Sequence, residues 1–412
     1  MLIVDASKDL VASEVLPALQ LGTGGEPLLP RLEGFGCVKA PGDFVPFIPF
    51  FLSPKTVDIC FRFAPNVPAL TVTLTIAGLP TLCPHIVSLV LNPLPRNPAI
   101  TEAVSEMLLA CSPNTLQLLS VDSPLTEDAR GIVYRLPKLY SLSALIQGPI
   151  SLPPVELPCL ETLCVEWDSG YDWLEGFREA KIRKLESITL RPATVPHQVH
   201  GFLGFLEEFQ SVALSISAQE TLSEFSFYTS QSWFPNYSSL FVFKRLVKLE
   251  VEFSCNSGCS STVDDDTIVN LAEAMPGLKI LRLGGPPCRA GGGVAFKGLV
   301  ALALRCPRLS ELCVHLQAHK LADATHRPSP LGSTAVVPRT ECALTDLHVG
   351  WTRISEQATL AIGLSLLQIF PEIVNIKYFN SPWKKVVDVI RLSRQIGGHI
   401  HHASEARFPF SR

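Results

Sequence analysis

The stretch LAEAMPGLKILRLGG, residues 271–285, joins a short amphipathic run, a proline and leucines at a fixed spacing. Leu278, Leu281 and Leu283 follow the template L-x-x-L-x-L, and LALRCPRLSELCVHL, residues 302–316, repeats the same order. A proline cannot continue a helix, and it pushes the preceding residue away from helical dihedrals. We therefore predict that a helix ends before Pro276 and that LKILRL is a strand with alternate side chains facing a core.

The template recurs along most of the chain, with other aliphatic residues or phenylalanine replacing some leucines. Its copies begin at Ile86, Leu116, Leu139, Leu160, Leu185, Phe209, Leu222, Leu246, Leu278, Leu309, Leu344 and Ile373. Prolines precede many of them, at Pro84, Pro113, Pro137, Pro158, Pro276, Pro307 and Pro371. Most copies are spaced by about 21–35 residues, which is the range of leucine-rich repeats with some insertions.

Segments between these copies carry helix signals. DDDTIVNLAEAM (264–275) begins with carboxylates that suit a helix N-terminus, and Thr101 and Thr126 are predicted N-caps of the next clearest helices. Apolar stripes of helical period occur in the segments 197–209, 295–306 and 354–370. The alternation predicts an α/β fold, a leucine-rich-repeat right-handed solenoid (horseshoe) with parallel strands on the concave face and helices on the convex face.

This pattern divides the chain into three parts. We predict an irregular N-terminal cap with degenerate repeats over 1–60, the solenoid over 61–380, and a C-terminal helix and tail over 381–412. Clusters of turn-forming residues predict loop insertions at about 254–266, 284–293 and 323–341.

Composition narrows the classes of partner. Of 412 residues, 47% are hydrophobic and 17% charged, with a net charge of −4, so no basic field indicates a nucleic-acid partner. No apolar run has the length of a membrane span, so no membrane partner is expected. Twelve scattered cysteines and the lack of a secretory signal favour a reducing compartment, and we expect a cytoplasmic or nuclear location.

Several short patterns could carry chemistry, and each has a simpler explanation. The candidates are the histidines His399, His401 and His402, the pair Cys255 and Cys259, the glycines around 284–293, and Asp264, Asp265 and Asp266. The histidines fit a solvated tail, the cysteines lack two further zinc ligands nearby, the glycines do not match a phosphate-loop motif, and the aspartates fit a helix cap. We therefore predict no catalytic residue, no bound metal and no cofactor.

The third and fifth template positions, and the residue just beyond, point away from the core leucines. They supply Glu166, Arg191, Lys248, Glu250, Glu252, Arg282, Glu311, His315, Asp346 and His348. A charged stripe of mixed sign on the concave face is typical of a surface that binds a protein ligand. The alternative is a sheet face that is merely solvated.

The region 246–317 also resembles a known family. LVKLEVEFSCNSGCSSTVDDDTIVNLAEAMPGLKILRLGGPPCR and FKGLVALALRCPRLSELCVHLQ are similar to the leucine-rich-repeat region of basidiomycete fungal F-box-like proteins, and the likeness extends over most of 80–380. In that family an N-terminal F-box docks the adaptor subunit of a cullin-RING ubiquitin ligase, and the repeats select a substrate. Residues 1–40 contain no leucine-and-proline F-box segment, so an adaptor is an expected partner only if an F-box exists outside this chain.

Three functional hypotheses follow. The first is a non-enzymatic protein–protein interaction module, in the form of the substrate-recognition part of an F-box-type ubiquitin ligase receptor. The second is a repeat-only scaffold or inhibitor-like binding protein with no ubiquitin-ligase link. The third, an enzyme, requires a polar pocket with strongly shifted titratable groups, which the sequence does not indicate.

Overall fold

A computed structural model gives the structure of the chain. It describes residues 1–5, 15–24, 26–147, 155–167, 172–178, 180–192, 205–229, 237–253, 263–284, 293–318, 340–350 and 352–405. These residues form two compact units, Met1–Leu222 and Ser223–Arg412. Both units are α/β, and each contains a parallel sheet.

The first unit carries its strands in chain order. They are β1 (Leu2–Asp5), β2 (Gly34–Ala40), β3 (Asp58–Phe63), β4 (Ser88–Leu91), β5 (Leu118–Pro124), β6 (Ser141–Ile146), β7 (Thr162–Trp167) and β8 (Ser187–Pro192). Each strand from β1 to β7 pairs in parallel with the next. The helices are α1 (Val15–Thr23), α2 (Ala69–Leu82), α3 (Pro98–Ala110), α4 (Glu127–Val133) and α5 (Phe205–Ser215), with 3-10 turns at Val45–Phe51, Asp172–Phe177 and Ala218–Glu220.

The second unit continues the same alternation. Its strands are β9 (Glu224–Thr229), β10 (Lys248–Phe253), β11 (Ile280–Leu283), β12 (Glu311–Cys313), β13 (Asp346–Gly350) and β14 (Asn375–Tyr378), and neighbours in this order pair in parallel. The helices are α6 (Asp265–Ala274), α7 (Phe296–Arg305), α8 (Thr359–Ile369) and α9 (Pro382–Glu405), with 3-10 turns at Tyr237–Leu240 and Glu356–Ala358. None of the helices described in either unit is both long enough and apolar enough to cross a membrane.

The template residues form the core, as the sequence predicts. Leu246, Leu249 and Val251 of one copy are at most 1% exposed, and Leu278 and Leu281 of the next are fully buried. The residues between them in each strand alternate to the opposite side of the sheet, because side chains point to opposite faces with a period of two. Burial of these aliphatic side chains is the main term that stabilises each unit.

One backbone arrangement recurs at the start of successive strands. In the second unit the carbonyl of Ser223 accepts the N–H groups of both Val247 and Lys248, and the carbonyl of Val247 accepts those of Lys279 and Ile280. The carbonyls of Lys279, Ser310 and Thr345 continue the series, and those of Glu33, Val57, Val87, Gln117, Tyr140 and Glu161 do the same in the first unit. Successive strands therefore begin with the same backbone arrangement within each unit.

The role predicted for the prolines is confirmed at the ends of several helices. Cys83, Met275, Cys306 and Phe370 are the C-caps of α2, α6, α7 and α8, and each directly precedes a proline. Their φ values lie between −132° and −116° and their ψ values between 64° and 82°, outside the helical region. The last helical residue thus lies two positions before the proline, with the C-cap between them, and the strand begins shortly after the proline.

The predicted N-caps are confirmed at two positions and wrong at one. Asp264 accepts the N–H of Thr267 at 2.8 Å at the start of α6, and Thr126 accepts that of Ala129 at the start of α4. Helix α3 instead begins at Pro98, and its N-cap is Asn97. A proline at the first helical position needs no hydrogen-bond acceptor, so the helix starts one turn before the predicted cap, Thr101.

One template copy is not a strand. The copy that begins at Phe209 lies in α5, where Phe209 and Val212 are buried and Leu214 is 44% exposed. The first two template positions are three residues apart, which is also a helical spacing, so FQSVAL satisfies the template by coincidence. The strand of this repeat is formed by the following copy, with Leu222, Phe225 and Phe227 in the core.

The predicted boundaries can be placed against these elements. The predicted boundary between residues 60 and 61 lies inside β3. The strands β1, β2 and β3 pair in parallel and join β4 in one sheet. Helix α9 occupies the segment predicted to hold a C-terminal helix. Most of the predicted insertions lie outside the described residues, namely 254–262, 285–292 and 319–339, as do Cys255 and Cys259.

Candidate protein-binding face

The candidate site of the second unit lies on the sheet face opposite the core. Lys248, Glu250 and Glu252 of β10 alternate with the buried Leu249 and Val251. The register places Glu250 beside Arg282 of β11. It also places Arg282 beside Cys313 of β12, and Cys313 beside His348 of β13. Residues about thirty positions apart in sequence therefore become neighbours across strands spaced by about 4.8 Å.

Arg282 connects three strands of this face. Its Nη1 lies 2.8 Å from Oε1 of Glu250 and 3.9 Å from Oε1 of Glu252. Its Nε and Nη2 both donate to Oε1 of Glu311, at 2.9 and 2.7 Å. The planar guanidinium is thereby held between carboxylates of β10 and β12, an arrangement that its fixed fork of donors favours.

Glu250 is the buried centre of the network, with a side chain only 2% exposed. Its Oε2 accepts hydrogen bonds from Tyr228 Oη at 2.7 Å and Ser226 Oγ at 3.1 Å, and it lies 3.0 Å from Lys248 Nζ. Burial favours a higher pKa for this carboxyl, but these hydrogen bonds and the charge of Lys248 outweigh it and lower the pKa. Glu250 is therefore ionised at neutral pH although it is buried.

This burial corrects the prediction that Glu250 contacts a ligand. An atom shielded from solvent by its own hydrogen-bonding partners does not reach a docking protein. Glu250 instead fixes the positions of Lys248 and Arg282, whose side chains are 29% and 32% exposed. It is a positioning residue for the face.

Glu252 behaves in the opposite way. Its side chain is 32% exposed. Its pKa is raised, first by burial and then by the negative charge of Glu250, and Arg282 offsets this only in part. Glu252 is thus a carboxylate whose charge is incompletely balanced within the unit.

His348 and Cys313 are uncharged members of the face at neutral pH. Burial lowers the pKa of His348, and the nearby Lys377 lowers it further, while Nε2 of His348 lies 3.5 Å from Oε1 of Glu311. Burial raises the pKa of the Cys313 thiol to about 12, and the carboxylate of Glu252 adds to that shift. Neither side chain supplies charge to a ligand at neutral pH.

Asp346 lies at the other end of the face. It accepts hydrogen bonds from Thr345 Oγ1 at 2.7 Å and Asn375 Nδ2 at 3.1 Å. The bond from Thr345 is the largest cause of its lowered pKa, so the carboxylate is ionised at neutral pH. His315, also predicted for this face, is half-buried after β12, and its carbonyl accepts the N–H of Val294 at 2.8 Å.

In the first unit Glu166 and Arg191 are register neighbours on β7 and β8. Glu166 lies 3.6 Å from the guanidinium of Arg96, and Arg191 is exposed. Asp122 of β5 accepts the N–H of Leu94 at 2.9 Å, and its pKa is raised by burial and, less strongly, by Glu166. Glu166 and Arg191 thus belong to a polar region of the first unit.

Sequence reasoning missed several uncharged polar residues of the two faces. Ser226 and Tyr228 occupy the outward positions of β9, and Asn92, whose Nδ2 donates to Ser120 Oγ at 2.6 Å, follows β4. The third and fifth template positions, and the residue just beyond, point away from the core. Counting polar as well as charged residues at these positions would have found Ser226, Tyr228 and Ser120. Asn92 lies beyond a strand end, where template position carries no information.

The aspartates, histidines and glycines that the sequence analysis considered as chemical sites can be compared with the structure. The side chains of Asp264 and Asp265 accept backbone N–H groups at helix starts, as a cap does. Within the described residues no group of three histidine, cysteine or acidic side chains could hold a metal ion. The side chains of His399, His401 and His402, and most of the glycine-rich segment, lie outside that part of the chain.

Comparison with known proteins does not place the chain in a family. Neither the models of known protein families nor the curated proteins give a match. The functional conclusions therefore rest on the residues of the site.

Proposed function

We propose that the chain is a leucine-rich-repeat solenoid and a non-enzymatic protein–protein interaction module that binds a protein ligand through the outward sheet face of Ser223–Arg412. The recurring template, the proline-terminated helices and the repeated hydrogen bonds at the strand starts support the repeat fold. In such folds the strand face is an extended surface to which neighbouring repeats each contribute one or two side chains.

The network from Glu250 through Arg282 to Glu311 is the observation that carries the proposal. A solvated sheet face needs no buried charge, and leaving a charge buried is costly unless it is paired and hydrogen-bonded. Here a 2% exposed carboxylate with four donors holds two cations in fixed positions on β10 and β11. Fixed polar groups reduce the ordering cost of association and favour one partner over others.

Two forms of this function differ in their partners. The resemblance to fungal F-box-like proteins favours a substrate-recognition role in a ubiquitin ligase, in which an adaptor binds an F-box outside this chain. The alternative is a repeat-only scaffold or inhibitor-like protein with no ligase link. Recovery of a cullin and its adaptor with the natural full-length gene product supports the first form, and their absence supports the second.

The proposed face is tested by affinity capture from fungal extract with the chain and a charge-reversed variant. Glu252→Lys together with Asp346→Lys should abolish capture of the proteins that the unaltered chain retains. The matched control, Glu102→Lys with Glu106→Lys, alters two exposed carboxylates on α3 by the same charge and should leave capture unchanged. Equal capture by all three chains would show that this face does not bind the ligand.

A further inference from the structure

We propose that the ligand of this face is an extended protein segment that presents arginine or lysine side chains to Glu252 and Asp346. The inference rests on the proposed function and specifies the partner class for the same site. It follows from which charges of the face are already neutralised inside the unit and which are not.

The outward positions of β9 to β14 hold more carboxylates than cations. Among the described strand residues the carboxylates are Glu224, Glu250, Glu252, Glu311 and Asp346, and the cations are Lys248, Arg282 and Lys377. His348 adds no charge at neutral pH because its pKa is lowered. A negative surplus on one face attracts a positively charged partner and repels a negative one.

The two cations nearest the centre of the face, Lys248 and Arg282, are already paired with carboxylates of the same unit. Lys248 and Arg282 lie 3.0 and 2.8 Å from the buried Glu250, and Arg282 also bonds Glu311. An incoming acidic segment would have to compete with a buried carboxylate for them, leaving Glu250 unpaired. Breaking such a buried pair is strongly unfavourable, so the two cations are poor receptors for an acidic ligand.

The carboxylates at the two ends of the face have acceptor capacity left. Nη1 of Arg282 lies 3.9 Å from Oε1 of Glu252, which is too long for a hydrogen bond. Asp346 is ionised and held in place by the neutral donors Thr345 and Asn375. The charge of Lys377 on the next strand partly offsets that of Asp346, and it lowers the pKa of Asp346 less than the Thr345 bond does. A guanidinium or ammonium group supplied by the ligand would complete both sites with charge-assisted hydrogen bonds.

The spacing of these two carboxylates defines the ligand further. By register, they are three strands apart laterally, at about 4.8 Å per strand, and four residues apart along the strands, at about 3.3 Å per residue. Their backbone positions are therefore about 20 Å apart, the span of about six residues of an extended segment. A ligand with two basic residues at about that separation can reach both.

The test is selection from a random peptide library displayed on phage, with the unaltered chain as bait and Glu252→Gln/Asp346→Gln as counter-bait. Enriched sequences should carry two arginines or lysines about six residues apart. A synthetic peptide of that kind should bind about tenfold more weakly to the double variant, and more weakly still with its two basic residues adjacent. Glu102→Gln/Glu106→Gln on α3, which removes the same net charge, should leave its affinity within about twofold.

The possible results distinguish a failure of the basic-ligand inference from a failure of the proposed binding function. Peptides that depend on the face but are acidic or neutral would overturn the basic-ligand inference and leave the binding function standing. If no enriched peptide distinguishes bait from counter-bait, the extended-segment inference is overturned, and capture by the charge-reversed variant decides the binding function separately. If spermine displaces the peptide at equal charge concentration, the face recognises small polycations rather than a protein segment, and the inference fails.

The single variant Glu252→Gln guards against a folding artefact. Its side chain is partly exposed, and its pKa is raised, so removing its charge does not remove a stabilising interaction. Loss of peptide affinity in this variant, at a melting temperature that is not lowered, supports the assignment. Unchanged affinity in both this variant and the double variant overturns it.

Discussion

The carboxylate of Asp265 accepts a hydrogen bond of 2.6 Å from the backbone N–H of Ala295, thirty residues further along the chain. Asp265 is the first residue of α6, and Ala295 is the N-cap of α7, whose own side chain offers no acceptor. One repeat thus caps the helix of the next. Because each helix start otherwise leaves backbone donors unsatisfied, this contact ties neighbouring repeats together.

The first prediction concerns this contact. Asp265→Ala should lower the free energy of unfolding by about 1 kcal/mol, the usual cost of removing a helix cap. Urea denaturation followed by circular dichroism measures the change. The neighbouring substitution Asp266→Ala is the control, because that carboxylate is 76% exposed and pairs with an exposed lysine, Lys297. An equal loss in both variants would show that the hydrogen bond to Ala295 is not the cause.

The second prediction concerns the approach of α8 to α9. A Cβ added to Gly363 would lie 2.8 Å from Cγ1 of Val389. Gly363→Ala should therefore destabilise the second unit by about 1–3 kcal/mol, since overpacking forces the helices apart. Thermal unfolding measures the effect, and adding Val389→Ala should recover part of it.

The matched control is Gly78→Ala in α2. The nearest atom to an added Cβ there is Cδ1 of Leu82, at an ordinary 3.9 Å. Alanine is the better helix former, so this change should be neutral or stabilising by up to about 1 kcal/mol. Destabilisation at both glycines would contradict the packing explanation for Gly363.

The third prediction concerns the buried carboxylate. Glu250→Ala should destabilise the second unit by about 1–3 kcal/mol, because it removes the shared partner of Lys248 and Arg282 and the acceptor of the buried Ser226 hydroxyl. It should also weaken binding of any ligand that depends on the face. The control Arg305→Ala removes an exposed partner of Glu273 and should change stability far less.

The fourth prediction assigns opposite pH dependences to two neighbouring carboxyls. Glu250 has a lowered pKa when folded, so its contribution to stability is present above its ordinary value of 4.5 and is lost as pH falls below it. Glu252 has a raised pKa, so its contribution is present below its ordinary value and is lost as pH rises through the folded value. Glu250→Gln should therefore reduce stability more at pH 7 than at pH 3, whereas Glu252→Gln should raise stability at pH 7. Urea midpoints measured across this range test both signs.

The fifth prediction concerns thiol reactivity. Because the pKa of Cys313 is raised to about 12, almost none of it is thiolate at about pH 8, and the thiolate is the nucleophile. Iodoacetamide should leave Cys313 unmodified in the folded chain and alkylate it after denaturation, as peptide mass spectrometry would show. The exposed Cys159 is the internal control for labelling of folded protein. Rapid native alkylation of Cys313 would contradict its burial.

Local sequence patterns are sufficient to predict most of the strands and several helix ends. Burial of template residues such as Leu249 and Leu281, the helix end before Pro276 and the N-cap Asp264 all depend on local pattern, and all are found in the structure. These features follow from hydrophobic periodicity and backbone dihedral limits, which act over a few residues. Where two local patterns coincide, as in the helical copy at Phe209, sequence reasoning gave the wrong element.

Which outward residues are available to a ligand depends on side-chain packing across several strands. The template places Glu250 and Glu252 on the same face and predicts the same exposure for both. In the structure Glu250 is buried and Glu252 is not. The side chains that cover Glu250 are Ser226, Tyr228, Lys248 and Arg282. The difference depends on side chains from β9 and β11, which the strand register brings together across some thirty residues. Burial and charge pairing depend on such distant neighbours, and a local pattern does not contain them.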